Sequence, residues 1–206
     1  MKEIFYNIKT IKDLVETIRA RQRMYIDEPR ISSLRSFIDG FTFALHINHI
    51  KLEDETIPFW FFYEWVSHHY NWGESTAGWC HIILKENKGD EEESLKVFFD
   101  LYDEFCKVEI ISVQQRVINK QSLNFHYSDD CKTKVISDIE KWTKEPVYKN
   151  AETVYLLHLS NNWFIYYVID GGSKQWKHTV FHNEISAKKQ IESLFGNYSE
   201  WCNVIL

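Results

Sequence analysis

Glycine and proline are scarce in this 206-residue chain, at seven and three, so there is little material for a long flexible linker or a low-complexity tail. Cysteine is sparse as well. Cys80, Cys106, Cys131 and Cys202 are widely separated and form no CxxC pair, which argues against a zinc knuckle or a disulfide framework and for reduced, largely buried thiols. No segment has the apolar length of a membrane span, and the opening MKEIFYNIKTIKDL lacks the apolar core of a signal peptide. A cytoplasmic address, away from membranes, is therefore expected. An excess of positive charge is also missing. The formal net charge is −6, which disfavours nucleic acid as the main ligand because phosphates call for a basic field.

The motifs of common enzyme chemistries do not occur. Ser75-Thr76 beside Gly78 lacks the GxSxG frame of a nucleophile elbow. Cys80 and His81 are sequence neighbours, which does not set a base against a thiol. Gly171-Gly172 is not followed by the Lys-Ser/Thr of a phosphate loop. The nine histidines include the pairs His46/His49, His68/His69 and His178/His182, but no HExxH or other dense set converges the three or four ligands that zinc requires. No catalytic residue, metal or cofactor is assigned on this basis.

What the chain has in abundance is negative charge in one place. Between Glu86 and Glu104 stand eight acids (Glu86, Asp90, Glu91, Glu92, Glu93, Asp100, Asp103, Glu104) against Lys88 and Lys96, a local balance equal to the −6 of the whole protein. Leu95, Phe98, Phe99, Tyr102 and Phe105 form a helical apolar stripe here, so Glu93, Asp100, Asp103 and Glu104 are expected on the opposite side. Asp90 to Glu93 complement the opening turn of a helix, and Asp90 with Glu93 resembles a capping box. Asp103 and Glu104 fall in the last turn, where the macrodipole disfavours negative charge, so no local device explains them. Either this is an ordinary solvated face or it is a docking surface for a basic partner, with Glu92, Glu93, Asp100, Asp103 and Glu104 as the candidate contacts.

The rest of the chain reads as α+β: a helical half over 1–106, then an α+β half over 107–206 with a small antiparallel sheet and a packed helix. Ile11, Leu14, Val15 and Ile18 predict a helix capped by Thr10. Ser32 or Ser33 caps a second, with Leu34, Phe37, Ile38, Phe41, Ala44 and Leu45 inward, and Gly40 within it points to close packing by another element. Pro58 opens a central helix, apolar on two sides, and Gly78–Leu84 forms a short helix beside it. Strands are expected at Val108–Val113, Ser122–Tyr127, Val154–Leu159, Trp163–Ile169 and Trp176–Phe181, with helices at Lys132–Trp142 and Glu184–Phe195 and a closing strand at Asn203–Leu206. In the last helix Ala187, Ile191, Leu194 and Phe195 face inward. Aromatics make up 16% of the residues, and Trp60, Trp72, Trp163, Trp176 and Trp201 are candidates for an exposed binding patch as well as for the core.

Two local patterns resemble known families. Arg19-Ala20-Arg21-Gln22-Arg23-Met24-Tyr25-Ile26 resembles the RxRPGMYIG signature that opens the ATPase domain of the gyrase B family. Gln22-Arg23 stands in place of Pro-Gly, Asp27 in place of the final Gly, and no DxGxG motif or glycine-rich lid follows, so no nucleotide site is inferred from it. Arg23-Met24-Tyr25, Leu34 to Gly40, Trp65, Gly78-Trp79 and the Phe98-Phe99 to Glu104-Phe105 run resemble small bacterial proteins found beside polymorphic and contact-dependent toxins. That resemblance spans about 19–105 and rests mainly on packing positions. It implies an immunity protein that binds and blocks one cognate toxin, often a basic nuclease. The alternative expectation is a small-ligand receptor or enzyme using an aromatic pocket in the helical half, with His68, His69 or His81 supplying polar chemistry.

Overall fold

The computed structural model describes residues 8–53, 55–72, 78–118, 151–177, 179–195 and 199–205. The strand expected at Ser122–Tyr127, the helix at Lys132–Trp142, Cys131 and His178 lie outside them. The fold is α+β, with seven helices and a five-stranded sheet among the described residues. The chain divides into two compact units, Met1–Lys107 and Val108–Leu206.

In the first unit, helix α1 (Ile11–Ala20) starts at a reciprocal capping box. The Asp13 amide donates to Thr10 Oγ1 at 3.1 Å, while Asp13 Oδ2 accepts from the Thr10 amide at 2.9 Å. This satisfies two of the donors that a helix start leaves open. Ile11, Leu14, Val15 and Ile18 are buried, as the spacing predicts. The helix stops at Arg21 (φ −146°, ψ 52°), and the single turn α2 (Gln22–Tyr25) follows at once. Helix α3 (Ile31–Ile47) begins after Arg30 with no side-chain cap of its own. Ser32 and Ser33 therefore lie inside the helix, and Glu91 Oε2 from another helix accepts the Ser32 amide at 3.0 Å instead. Only Ile31, Leu34 and Ile38 of its stripe are buried; Ala44 is exposed, and Phe37, Phe41 and Leu45 are half-buried. Gly40 is exposed, and a Cβ there would meet nothing within 4 Å, so the close packing expected at this glycine does not exist.

Helices α4 (Phe61–His69), α5 (Gly78–Glu86) and α6 (Glu91–Phe105) complete the unit. Pro58 lies in the turn ahead of α4, its carbonyl accepting the Phe61 amide at 3.0 Å. Phe61, Phe62 and Val66 are fully buried, consistent with a helix covered on two sides. The core here is a ring cluster. Phe62 meets Phe98, Tyr102 and Phe105 edge-on at centroid distances of 5.3, 5.4 and 5.6 Å, and Trp79 lies 4.7 Å from Phe98. These geometries set positive ring edges against negative faces, adding to the apolar burial. Glu55 ties two helix starts together: one oxygen accepts the Lys12 amide at 2.9 Å and the other the Phe59 amide at 3.0 Å. Burial raises the Glu55 pKa above the ordinary carboxylate range even though these amides act to lower it.

The second unit is built on an antiparallel sheet ordered β4-β3-β2-β1-β5, from β1 (Ile110–Val117), β2 (Ala151–Leu159), β3 (Phe164–Asp170), β4 (Ser173–Trp176) and β5 (Cys202–Val204). Gly171 and Gly172 sit at φ 56° and 77°, the paired left-handed geometry that a tight hairpin between β3 and β4 demands. The third predicted strand is displaced: β4 ends at Trp176, and Phe181 forms only an isolated bridge to Phe164. Helix α7 (Glu184–Phe195) packs Ala187, Ile191 and Phe195 with Val154, Leu156, Tyr166 and Val168 of the sheet. Leu194, expected inward, is 39% exposed, because it lies at the edge of the helix face that the sheet covers. Arg116 of β1 is buried and donates from Nη1 to Glu192 of α7 at 2.8 Å, a charge paired as burial requires.

Candidate functional site

The five acids expected to form the docking face all belong to α6, and the physical reason they share a helix is the stripe on its other side. Leu95, Phe98, Phe99, Leu101, Tyr102 and Phe105 are buried, so the intervening acids are turned outward. Asp90 caps the helix, its Oδ1 accepting the Glu93 amide at 3.0 Å. The Glu93 carboxylate takes Lys96 Nζ at 3.0 Å, so half of the expected capping box is present and the reciprocal half is given over to an ion pair.

Asp103 requires a correction. It does not simply point to solvent: Arg19 of α1 grips it with two parallel bonds, Nη2 to Oδ1 at 2.6 Å and Nη1 to Oδ2 at 3.1 Å. The same guanidinium donates to the Phe99 carbonyl at 3.1 Å and lies 4.7 Å from the centre of the Phe99 ring. Burial acts against the charge on Arg19; Asp103, Glu16 and Asp100 outweigh it and hold the guanidinium more firmly protonated than usual. An acid in the last turn thus offsets an unfavourable dipole with a bidentate interhelical tie, the strongest common form of charge-assisted hydrogen bond. Glu91 is likewise engaged, capping α3, and Glu86 Oε1 accepts the Trp72 indole N–H at 2.7 Å.

Glu92, Asp100 and Glu104 remain. All three are exposed, and among the described residues none has an ion-pair partner within 4 Å. They recur at multiples of four residues, so they run along one side of the helix over about 18 Å. The face they make can offer carboxylate oxygens to a cation in solution; nothing in it holds a nucleophile, or a base set against one.

The other candidates do not converge. His68, His69 and His81 are exposed, and Phe59, Phe62 and Trp79 pack on one another. Among the described residues, no group of three or more His, Cys, Asp or Glu is arranged to hold a metal ion. Burial pushes the Cys80 thiol up to about 11, against the opposing influence of Arg35, so it is protonated at neutral pH and a poor nucleophile. The five tryptophans are divided between the two units. Trp163 is buried, Lys174 lies over Trp176 and Lys85 over Trp72, and only Trp60 belongs among the exposed large apolar residues.

Arg19, Glu55 and the capping role of Glu91 were not foreseen from sequence. Arg19 reaches Asp103 across 84 residues, Glu91 reaches Ser32 across 59 and Glu55 reaches Lys12 across 43, and no local pattern marks those bonds, whereas the Glu55 bond to the Phe59 amide, four residues on, is local. The chain matches no protein-family model, no curated protein and no solved structure.

Proposed function

We propose that this is a non-catalytic cytoplasmic binding protein of the immunity type, which neutralises a basic, nuclease-class toxin by presenting the outer face of α6. The observation that carries the reading is the exposed row Glu92, Asp100 and Glu104, none of which has an ion-pair partner within 4 Å among the described residues. This charge is left over after the fold has used Asp90, Glu91, Glu93 and Asp103 for its own caps and pairs. A nuclease must hold phosphates, so its substrate cleft is basic. A row of carboxylates on a helix already fixed by its buried face presents a counter-surface whose backbone needs no further ordering on binding. Glu93 and Asp103 flank the row in a supporting role: Asp103 holds the end of the helix against α1, and Glu93 shares its charge with Lys96.

The test is co-expression with the product of the gene immediately upstream, followed by binding measurements on the purified pair. Protected growth is expected, with a complex whose association rate falls as salt rises. Joint Glu92→Lys, Asp100→Lys and Glu104→Lys substitution should weaken binding by at least about tenfold while leaving the melting temperature unchanged. Wild-type affinity in that triple variant would sink the acidic-face reading, and failure of the unaltered protein to protect would sink the immunity role.

A further inference from the structure

The chain reverses its electrostatic character at the joint between α1 and α2. Arg19, Arg21 and Arg23 are two residues apart, and on an unbroken helix successive members would point about 200° apart. The break at Arg21, with φ −146° and ψ 52°, interrupts that helix. All three arginines instead line one open depression of about 370 Å³, together with Gln22 and Met24.

The three are not equivalent. Arg19 is pinned by Asp103 and the Phe99 carbonyl, and its Nε is buried without a hydrogen-bond partner. Arg21 and Arg23 have no carboxylate within 4 Å among the described residues. Asp27 lines the neighbouring depression with Tyr25 and Ser32, not this one. Like charges that line one depression are unfavourable unless something neutralises them, and among the described residues only Arg19 of the three meets a carboxylate.

We infer that this depression is a binding site for a small phosphate-bearing molecule, with Arg21 and Arg23 as its ligating groups and Arg19 as a fixed wall. The guanidinium fork matches a phosphoryl group in shape and charge. Two free forks in an otherwise acidic protein favour a compact mono- or oligophosphate over an extended polyanion, which requires a long basic track. Met24, 60% exposed at the rim, offers apolar surface to whatever group the phosphate carries. The inference does not rest on the acidic face of α6, and either can fail alone.

The probe is inorganic pyrophosphate, titrated calorimetrically into the full chain at low salt, with sodium sulfate at equal ionic strength as reference. Saturable one-to-one binding is expected, about a hundredfold weaker in the Arg21→Gln/Arg23→Gln double variant, since each of the two lost charged hydrogen-bonding groups removes roughly tenfold. The Arg23→Gln single variant changes an exposed side chain and should show part of the loss with an unchanged circular dichroism spectrum. Arg30→Gln, which removes a nearby arginine already paired with Glu28, should bind as the unaltered protein does. Pyrophosphate bound no better than sulfate, equal affinity in the double variant, or tighter binding of an oligothymidine strand would each overturn the assignment.

Discussion

Helices α3 and α6 pack against each other in the same unit and carry apolar stripes of similar regularity, yet they stand in opposite relations to the fold. Every member of the α6 stripe is buried, and its polar side is charged from end to end. In α3 the buried residues stop at Ile38, and beyond Gly40 the chain exposes Phe43 and Ile47 at 64% and 56%. The helices also begin differently. Asp90 caps α6 from within, whereas α3 borrows its cap from Glu91, the first residue of α6. One helix organises the unit, and the other is held by it at one end only.

That asymmetry can be tested by perturbing each helix in turn. The largest effect is expected for Phe98→Ala, because Phe98 is fully buried amid Phe62, Trp79 and Tyr102. The cavity should cost about 3–5 kcal/mol in a denaturant titration; a loss below roughly 1 kcal/mol would mean that α6 does not hold the core together. Arg19→Ala comes next. It strips Asp103 and the Phe99 carbonyl of their donor, an expected loss of about 1–2 kcal/mol. Asp103→Asn keeps one acceptor and should cost less, with both variants followed by thermal melting.

Glu91→Ala should cost about 1 kcal/mol by uncapping α3 at a distance. Amide hydrogen exchange should then rise at the start of α3 and not in α6; the opposite pattern would break the claim that α6 supports α3.

The cap of α1 supplies a pH-dependent counterpart of similar size. Burial pushes the Asp13 pKa up, but the amides of Lys9 and Thr10, the Thr10 hydroxyl and the Lys9 charge outweigh it, leaving the pKa below the usual range. A depressed folded-state pKa gives stability that is present above the unfolded value and is lost as pH falls through the folded one. The gap in melting temperature between the unaltered protein and Asp13→Asn should therefore close on acidification. Glu55 is shifted the opposite way, so its contribution fades as pH rises through its raised value. A gap for Asp13→Asn that is constant with pH would remove the carboxylate from the cap's energetics. Last, Phe43→Ser should change stability by no more than about 0.5 kcal/mol, since the ring is mostly in water already.

Much of this architecture was legible in the sequence. The cap at Thr10, the inward stripes of α1 and α6, the strands β2 and β3 and the span of α7 all follow from spacings of a few residues. What could not be read was whether a stripe finds a partner. Periodicity ranked Phe41, Ala44 and Leu45 with Leu34 and Ile38, although only the latter two are buried. The candidate site shows the same limit. The outward direction of Glu92, Asp100 and Glu104 follows from helical geometry alone. The capture of Asp103 depends on Arg19, 84 residues away, and no pattern within α6 distinguishes it from its neighbours.

The sequence by itself determined where α1, α6 and α7 fall, which side of α1 and α6 is apolar, and that the surplus acid is carried by one segment, because these depend on dihedral preferences and spacings within a few turns. Only the tertiary structure decided which acids remain available and which cations remain unmatched. Arg19 and Asp103 cancel because folding brings α1 against α6, and Arg21 and Arg23 stay open because nothing acidic among the described residues comes within reach. Charge is additive along a chain, but its neutralisation falls off over a few ångströms in space, so only the folded arrangement sets what is left for another molecule to meet.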